Sequence, residues 1–204
     1  MPKKEVPIGQ LNDYLPPGTY DAVLAYIRQH KVHLTIARER KSVLGDYRHR
    51  TSNDNHRISV NGNLNTWSFL ITLLHELAHL LAFEHFGHGI LAHGREWKKV
   101  YGGLLDQFLQ KKIFPPDIEN ELLRSLQNPA ASSCAEDDLL RVLRRYDKQN
   151  HHRLVEELGL NALFRTSDGR VFKKGEKQRK RFKCAEVKTG RVYLFSPVYE
   201  VEPM

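Results

Sequence analysis

Cysteine is scarce: two occur in 204 residues, Cys134 and Cys184, and neither belongs to a CxxC pair. That count suits a reducing cytoplasm better than a disulfide framework, and it leaves histidine and carboxylate as the available metal ligands. Long hydrophobic runs are missing as well. The most apolar stretch, Phe69 to Phe83, is interrupted by His75, Glu76 and His79 and falls short of the roughly 20 residues that a membrane span needs. The opening MPKKEVPIGQLNDYLPPG has no apolar block of the secretory-signal kind. These absences predict a cytoplasmic protein without a membrane partner. No internal repeat or low-complexity tract stands out.

What is present is ordinary globular chemistry, 40% apolar and 27% charged, in a length that suits one main domain with a small appendage. The charge is unevenly placed. Residues 165–191 hold 11 Lys/Arg against 3 Asp/Glu, while the rest of the chain balances at 21 of each sign, so one segment carries the whole net charge of +8.

Along the chain, residues 1–18 read as a loosely held polar arm. Val23, Leu24 and Ile27 have helical spacing over Tyr20 to His30. Three short alternating stretches follow, Val32 to Ile36, Gly45 to Arg50 and Arg57 to Asn61, with connectors of the kind that close hairpins. Asn65 or Thr66 can cap a helix running from Trp67 to about Phe86, apolar on nearly every face and so predicted to be buried. Glycines at 87, 89 and 94 break it. Further helices are expected near 94–112, 116–127, with Pro116 in the first turn, and 136–146, after the linker-like NPAASS of 128–133. Residues 162–202 read as three or four strands, with turns at Asp168/Gly169 and Thr189/Gly190.

The long helix contains HELAH, an HExxH pattern. At about 100° per residue, His75 and His79 share a face one turn apart and can reach one ion, with Glu76 beside it. A catalytic zinc takes three protein ligands and a water whose pKa it lowers to about 7. Glu76 would then act as the base. Two histidines and a glutamate in an otherwise apolar helix are costly without such a partner. The residues leave the third ligand among His85, His88, His93 and Glu96. His85 would need a glycine where Ala82 stands, and on a helix continuing to Phe86 it points away from His79.

HELAH followed by a short loop and HGxxW resembles the SprT-like, or Spartan-like, family of zinc metalloproteases. Leu44/Gly45 with Ile58 to Asn61 is similar to the strands that precede the family's active-site helix, so the likeness covers about 20–112. The resemblance implies an α+β fold with a zincin-like core, made of a small sheet plus the active-site helix. It implies one catalytic Zn2+ held by His75, His79 and His93, with Trp97 as a packing aromatic. It also implies endopeptidase action on proteins associated with or crosslinked to DNA. Family members commonly carry a cysteine zinc ribbon after the core, whereas only Cys184 stands in the corresponding region here. The appendage is therefore expected to resemble a ribbon without its cysteines, built on Phe172, Phe182, Val192, Tyr193 and Phe195. The resulting organisation is an arm at 1–18, a metalloprotease core at 19–128, a linker and helix at 129–161, and a basic β appendage at 162–204.

Lys173, Lys174, Lys177, Arg179, Lys180, Arg181 and Lys183, near Phe172 and Phe182, are the candidate DNA-binding residues, since clustered cations hold phosphates and aromatic faces stack on unpaired bases. DNA binding would place a cytoplasmic protein at the nucleoid. Two other functions suit the same residues: a non-catalytic DNA-binding module that retains the fold, and a peptidase unrelated to DNA.

Overall fold

The computed structural model describes residues 8–40, 43–52, 54–126, 136–148 and 151–204. NPAASS and Cys134 lie outside them. The described chain is mixed α/β and divides between Asp147 and Lys148 into two units.

The first unit is organised around helix α2 (Thr66–Phe86). Asn65 begins it, its side-chain oxygen accepting the Ser68 amide at 2.9 Å, which satisfies one of the unpaired first-turn donors. By length and composition α2 would suffice to cross a membrane. Its side chains are instead enclosed by protein, every one from Phe69 to Leu74 being fully buried. At about 1.5–3 kcal/mol for each large apolar side chain removed from water, this helix is the main source of the unit's cohesion.

Around it pack α1 (Tyr20–Gln29) through Val23, Leu24 and Ile27, α3 (Arg95–Leu109) through Trp97, Leu105 and Phe108, α4 (Pro116–Ser125) through Ile118 and Leu122, and α5 (Asp137–Leu143) through Leu139 and Leu143. A 3-10 turn at Arg144–Tyr146 extends α5 to the end expected from the sequence. The expected loose arm is corrected where it is described. Residues Ile8–Tyr14 form a 3-10 helix, Leu11 is 1% exposed, and the Tyr14 ring lies 5.4 Å from that of Phe69. Two leucines among the polar residues are enough to dock the segment on the core.

Three strands complete this unit: β1 (His33–Ala37), β2 (Gly45–Arg48) and β3 (Arg57–Asn61), in the order β1-β3-β2. Only β2 and β3 pair as a hairpin would, with Tyr47 opposite Ile58. β1 runs parallel to β3, Leu34 opposite Ile58. The reason lies in composition: β3 buries Ile58 and Val60 and takes the centre, while GDYR is polar, half exposed and suited to an edge.

The second unit is a six-stranded antiparallel sheet rather than one of three or four strands. Its order is β4 (Arg153–Leu154), β9 (Glu200–Pro203), β5 (Leu163–Arg165), β6 (Val171–Gln178), β7 (Arg181–Glu186) and β8 (Val192–Phe195). Phe164, Phe172, Cys184, Val155 and Val201 form its core, with Phe182, Tyr193 and Phe195 packed against it. Val192 is not part of that core. It alternates onto the opposite face from Tyr193 and is 62% exposed. The turns at Gly169 and Gly190 fall where expected, both with positive φ.

Asn65 does more than cap: its amide nitrogen also donates to the Leu143 carbonyl at 3.1 Å and to Asp147 at 2.6 Å, tying α2 to the end of α5. Asn65→Ala should cost about 1–2 kcal/mol in urea unfolding. Asn65→Ser, which keeps only the capping oxygen, should fall between it and the parent.

Candidate metal centre

His75 and His79 stand one turn apart on α2, as the spacing requires, with their Nε2 atoms 3.3 Å apart. The helix then ends at Gly87, whose φ of 66° is a conformation glycine adopts without strain. The chain returns through a 3-10 turn at Gly87–Gly89 to His93, just before Gly94 caps α3. This return brings His93 Nε2 to 3.2 Å from His75 Nε2. The three donor atoms all lie within 4.8 Å of one another, and among the described residues no other His/Cys/Asp/Glu group is so disposed. Ligands at 2.0–2.1 Å from a tetrahedral ion stand about 3.3 Å apart, so the nitrogens fit one metal ion.

The other candidates lie elsewhere. His85 is exposed, and its Nδ1 donates to the Leu81 carbonyl at 2.8 Å. His88 packs edge-on against His49 and Phe83. Glu96 is outside the donor group.

Glu76 is 6% exposed and lines, with the three histidines, Tyr47 and Phe83, an open cleft of about 660 Å³. Strand β2 closes directly over it. A Cβ at residue 45 would come within 2.5 Å of Glu76 Oε1 and 2.8 Å of Thr72 Cγ2, so only glycine lets the strand lie that close. In the sequence Gly45 reads as the start of a strand and as part of a resemblance, not as a position that only glycine can fill. The part played by Tyr47, far from His75 and His79 in the chain, left no recognisable mark.

Burial shapes the protonation of the site. It lowers His75 to about 3, helped by the charges that His79 and His93 would carry. It lowers His79 to about 4 and depresses His93 as well. It raises Glu76 to about 8, with Asp46 adding to the rise and Arg40 opposing it. All three imidazoles are therefore neutral near pH 7, and their lone pairs are available to a cation without competition from protons.

In the second unit the basic residues separate. Lys173, Lys177, Arg179, Lys180, Arg181 and Lys183 are exposed along the β6–β7 hairpin and its turn. Lys174 is a correction. It alternates onto the inner face opposite Cys184, where its ammonium donates to the Leu158 and Glu156 carbonyls at 2.5 and 3.3 Å and sits 4.2 Å over the Phe182 ring. Phe172 is fully buried and Phe182 lies under Lys174, so neither offers a free face for a base.

Residues 18–112 match the family model for SprT-like proteins, a span that includes β2, all of α2 and the return to His93. No curated protein and no solved structure gave a significant match.

The opposed shifts predict a stability optimum in the metal-free chain. His75 and His79 bind protons less readily folded than unfolded, so their contribution is complete above the ordinary value of 6.5 and is lost as pH falls toward 4. Glu76 binds its proton more readily folded, so its contribution is complete below 4.5 and is lost as pH rises toward 8. Thermal unfolding in chelator should be most resistant near pH 6.5, and Glu76→Gln should remove the alkaline decline. A midpoint that changes in one direction only from pH 5 to 8 would contradict this assignment.

Proposed function

Taking residues 18–112 as a SprT-like domain, we propose that this chain is a zinc-dependent endopeptidase with a zincin-type site. The carrying observation is the convergence of three neutral imidazoles beside a buried carboxylate at the floor of an open cleft. Zinc bound there would acidify a water to a pKa of about 7 and polarise the substrate carbonyl. His75, His79 and His93 would hold the ion through Nε2. Glu76 takes the proton from the attacking water on its carboxylate and delivers it to the leaving amine nitrogen. Burial is the main cause that raises the carboxyl to about 8 in the metal-free chain, and a bound cation would oppose that rise and favour the carboxylate that accepts the proton. Gly45 leaves room for the carboxylate, and the adjacent cleft is open along one side of it.

Two experiments test the chemistry. Glu76→Gln should keep full metal content by elemental analysis while cleavage of an unfolded protein substrate falls about 10²- to 10⁴-fold. His93→Ala should lose most of the metal and His85→Ala should keep it. Undiminished cleavage by Glu76→Gln would overturn this mechanism, whereas no cleavage by the parent chain would favour a non-catalytic module that retains the fold.

We further propose that the protein substrates are held near DNA, with the β6–β7 hairpin as the contact. Six exposed cations and no exposed aromatic face support a backbone-directed interaction. Binding of the full chain to duplex DNA should weaken roughly 10²- to 10³-fold between 50 and 200 mM salt, as expected for about five phosphate contacts. The triple charge reversal Arg179→Glu, Lys180→Glu, Arg181→Glu should abolish it. No binding at low salt would leave a peptidase unrelated to DNA as the better reading.

A further inference from the structure

Metal-binding histidines usually donate their second ring N–H to a carboxylate or carbonyl, which fixes the tautomer and ring orientation. No protein carboxylate or carbonyl among the described residues forms that layer here. Among the described residues, the rings of His75, His79 and His93 hydrogen-bond only to one another, and His75 Nδ1 is buried with no partner. Something else must hold three rotatable rings in register.

Trp97 is in place to do so. Its ring centroid lies 4.7 Å from that of His75, 5.1 Å from His79 and 4.7 Å from His93, at interplanar angles of 59°, 33° and 84°. One rigid indole thus touches all three rings, each at a different inclination. It is itself fully buried, and it stacks on Tyr101 at 5.0 Å and 22°. Its Nε1–H also has no partner, so no hydrogen bond explains why an indole stands there.

His79 has a second aromatic neighbour on the side of β2. The Tyr47 ring lies parallel to it, 4° between planes and 6.3 Å between centroids. Tyr47 is held in turn by a chain of polar groups centred on the buried His56. Its hydroxyl donates to His56 Nδ1 at 2.9 Å, and the Arg50 amide reaches the same nitrogen at 3.2 Å. With Nδ1 accepting, the His56 proton sits on Nε2 and points to Glu84 Oε1 at 3.3 Å, while Glu84 Oε2 takes His30 at 2.7 Å. Glu84 belongs to α2, so the ring beside His79 is anchored to the helix that carries His79.

We propose that Trp97 and Tyr47 are the positioning residues of the metal centre, orienting its imidazoles by packing in place of outer hydrogen bonds. The proposal rests on the metal reading above. A planar, incompressible surface restricts ring rotation through repulsion, but it neither selects the tautomer nor raises ligand basicity. Metal affinity should therefore depend on ring shape at residue 97 more than on any polar group there.

The test measures zinc dissociation constants by competition with a chelating indicator, cobalt(II) absorption spectra, and melting of the metal-free protein, all on the full chain. Trp97→Leu should weaken zinc binding about 10- to 100-fold, the range seen when outer partners of ligands are lost, and alter the cobalt bands. Trp97→Phe, still planar, should recover most of that loss. Tyr47→Leu should weaken zinc several-fold and Tyr47→Phe less, and these variants carry the test if Trp97→Leu fails to fold. A lowered melting point with unchanged zinc affinity and cobalt spectrum in Trp97→Leu, or in Tyr47→Leu where Trp97→Leu does not fold, would overturn the proposal, because that is what a purely structural role predicts. Absence of zinc binding by the parent chain would instead overturn the metal reading itself.

Discussion

The controlling constraint is the desolvation of two imidazoles and a carboxylate on a helix that must otherwise be apolar on every side. α2 holds the first unit together because its neighbours enclose it, and the same enclosure removes water from His75 and Glu76. A buried charge without a partner costs more than any single contact in the unit returns. The histidines respond by staying neutral and the glutamate by holding its proton more tightly. A site in that state is poised for a cation that would compensate all of these groups together, so core packing and site chemistry are aspects of one arrangement.

Much of this was legible in the chain because it is local. HELAH needs only the 3.6-residue period to bring two rings together, and Asn65 caps where a short polar side chain precedes an apolar run. What sequence could not resolve depends on choices between distant partners. The parallel pairing of β1 with β3 follows from β3 having the two most buried residues of the three strands, a comparison across more than twenty positions. Leu11 docks because the core has room for it, not because its neighbours form a pattern. His93 emerged as the returning ligand through resemblance, since the turn at Gly87–Gly89 decides which of several histidines comes back to the helix.

Lys174 illustrates the same limit in the second unit. A run of basic residues reads as one patch, yet the alternation of a strand sends every second side chain to the other face. Lys174 thereby joins Cys184 and Phe182 on the inner face, where its ammonium holds the carbonyls of Glu156 and Leu158. The unit is built on packed rings, as expected of an appendage without ribbon cysteines, with Phe172 touching Phe164, Tyr193 and Phe195. The remaining cations belong to the solvent side, where they cost the fold little and are free for a polyanion.

The three histidines are held unequally, and this shapes what a metal would do to the domain. His75 is enclosed and backed by Trp97 and Tyr101. His79 is half exposed between Trp97 and Tyr47. His93 stands on the return segment between Gly87 and Gly94, outside either helix. An ion bound by all three would join α2 to the start of α3 by bonds far stronger than the packing that aligns the rings in its absence. The return segment then contributes both a ligand and one wall of the cleft, since Ile90, Ala92 and His93 line it.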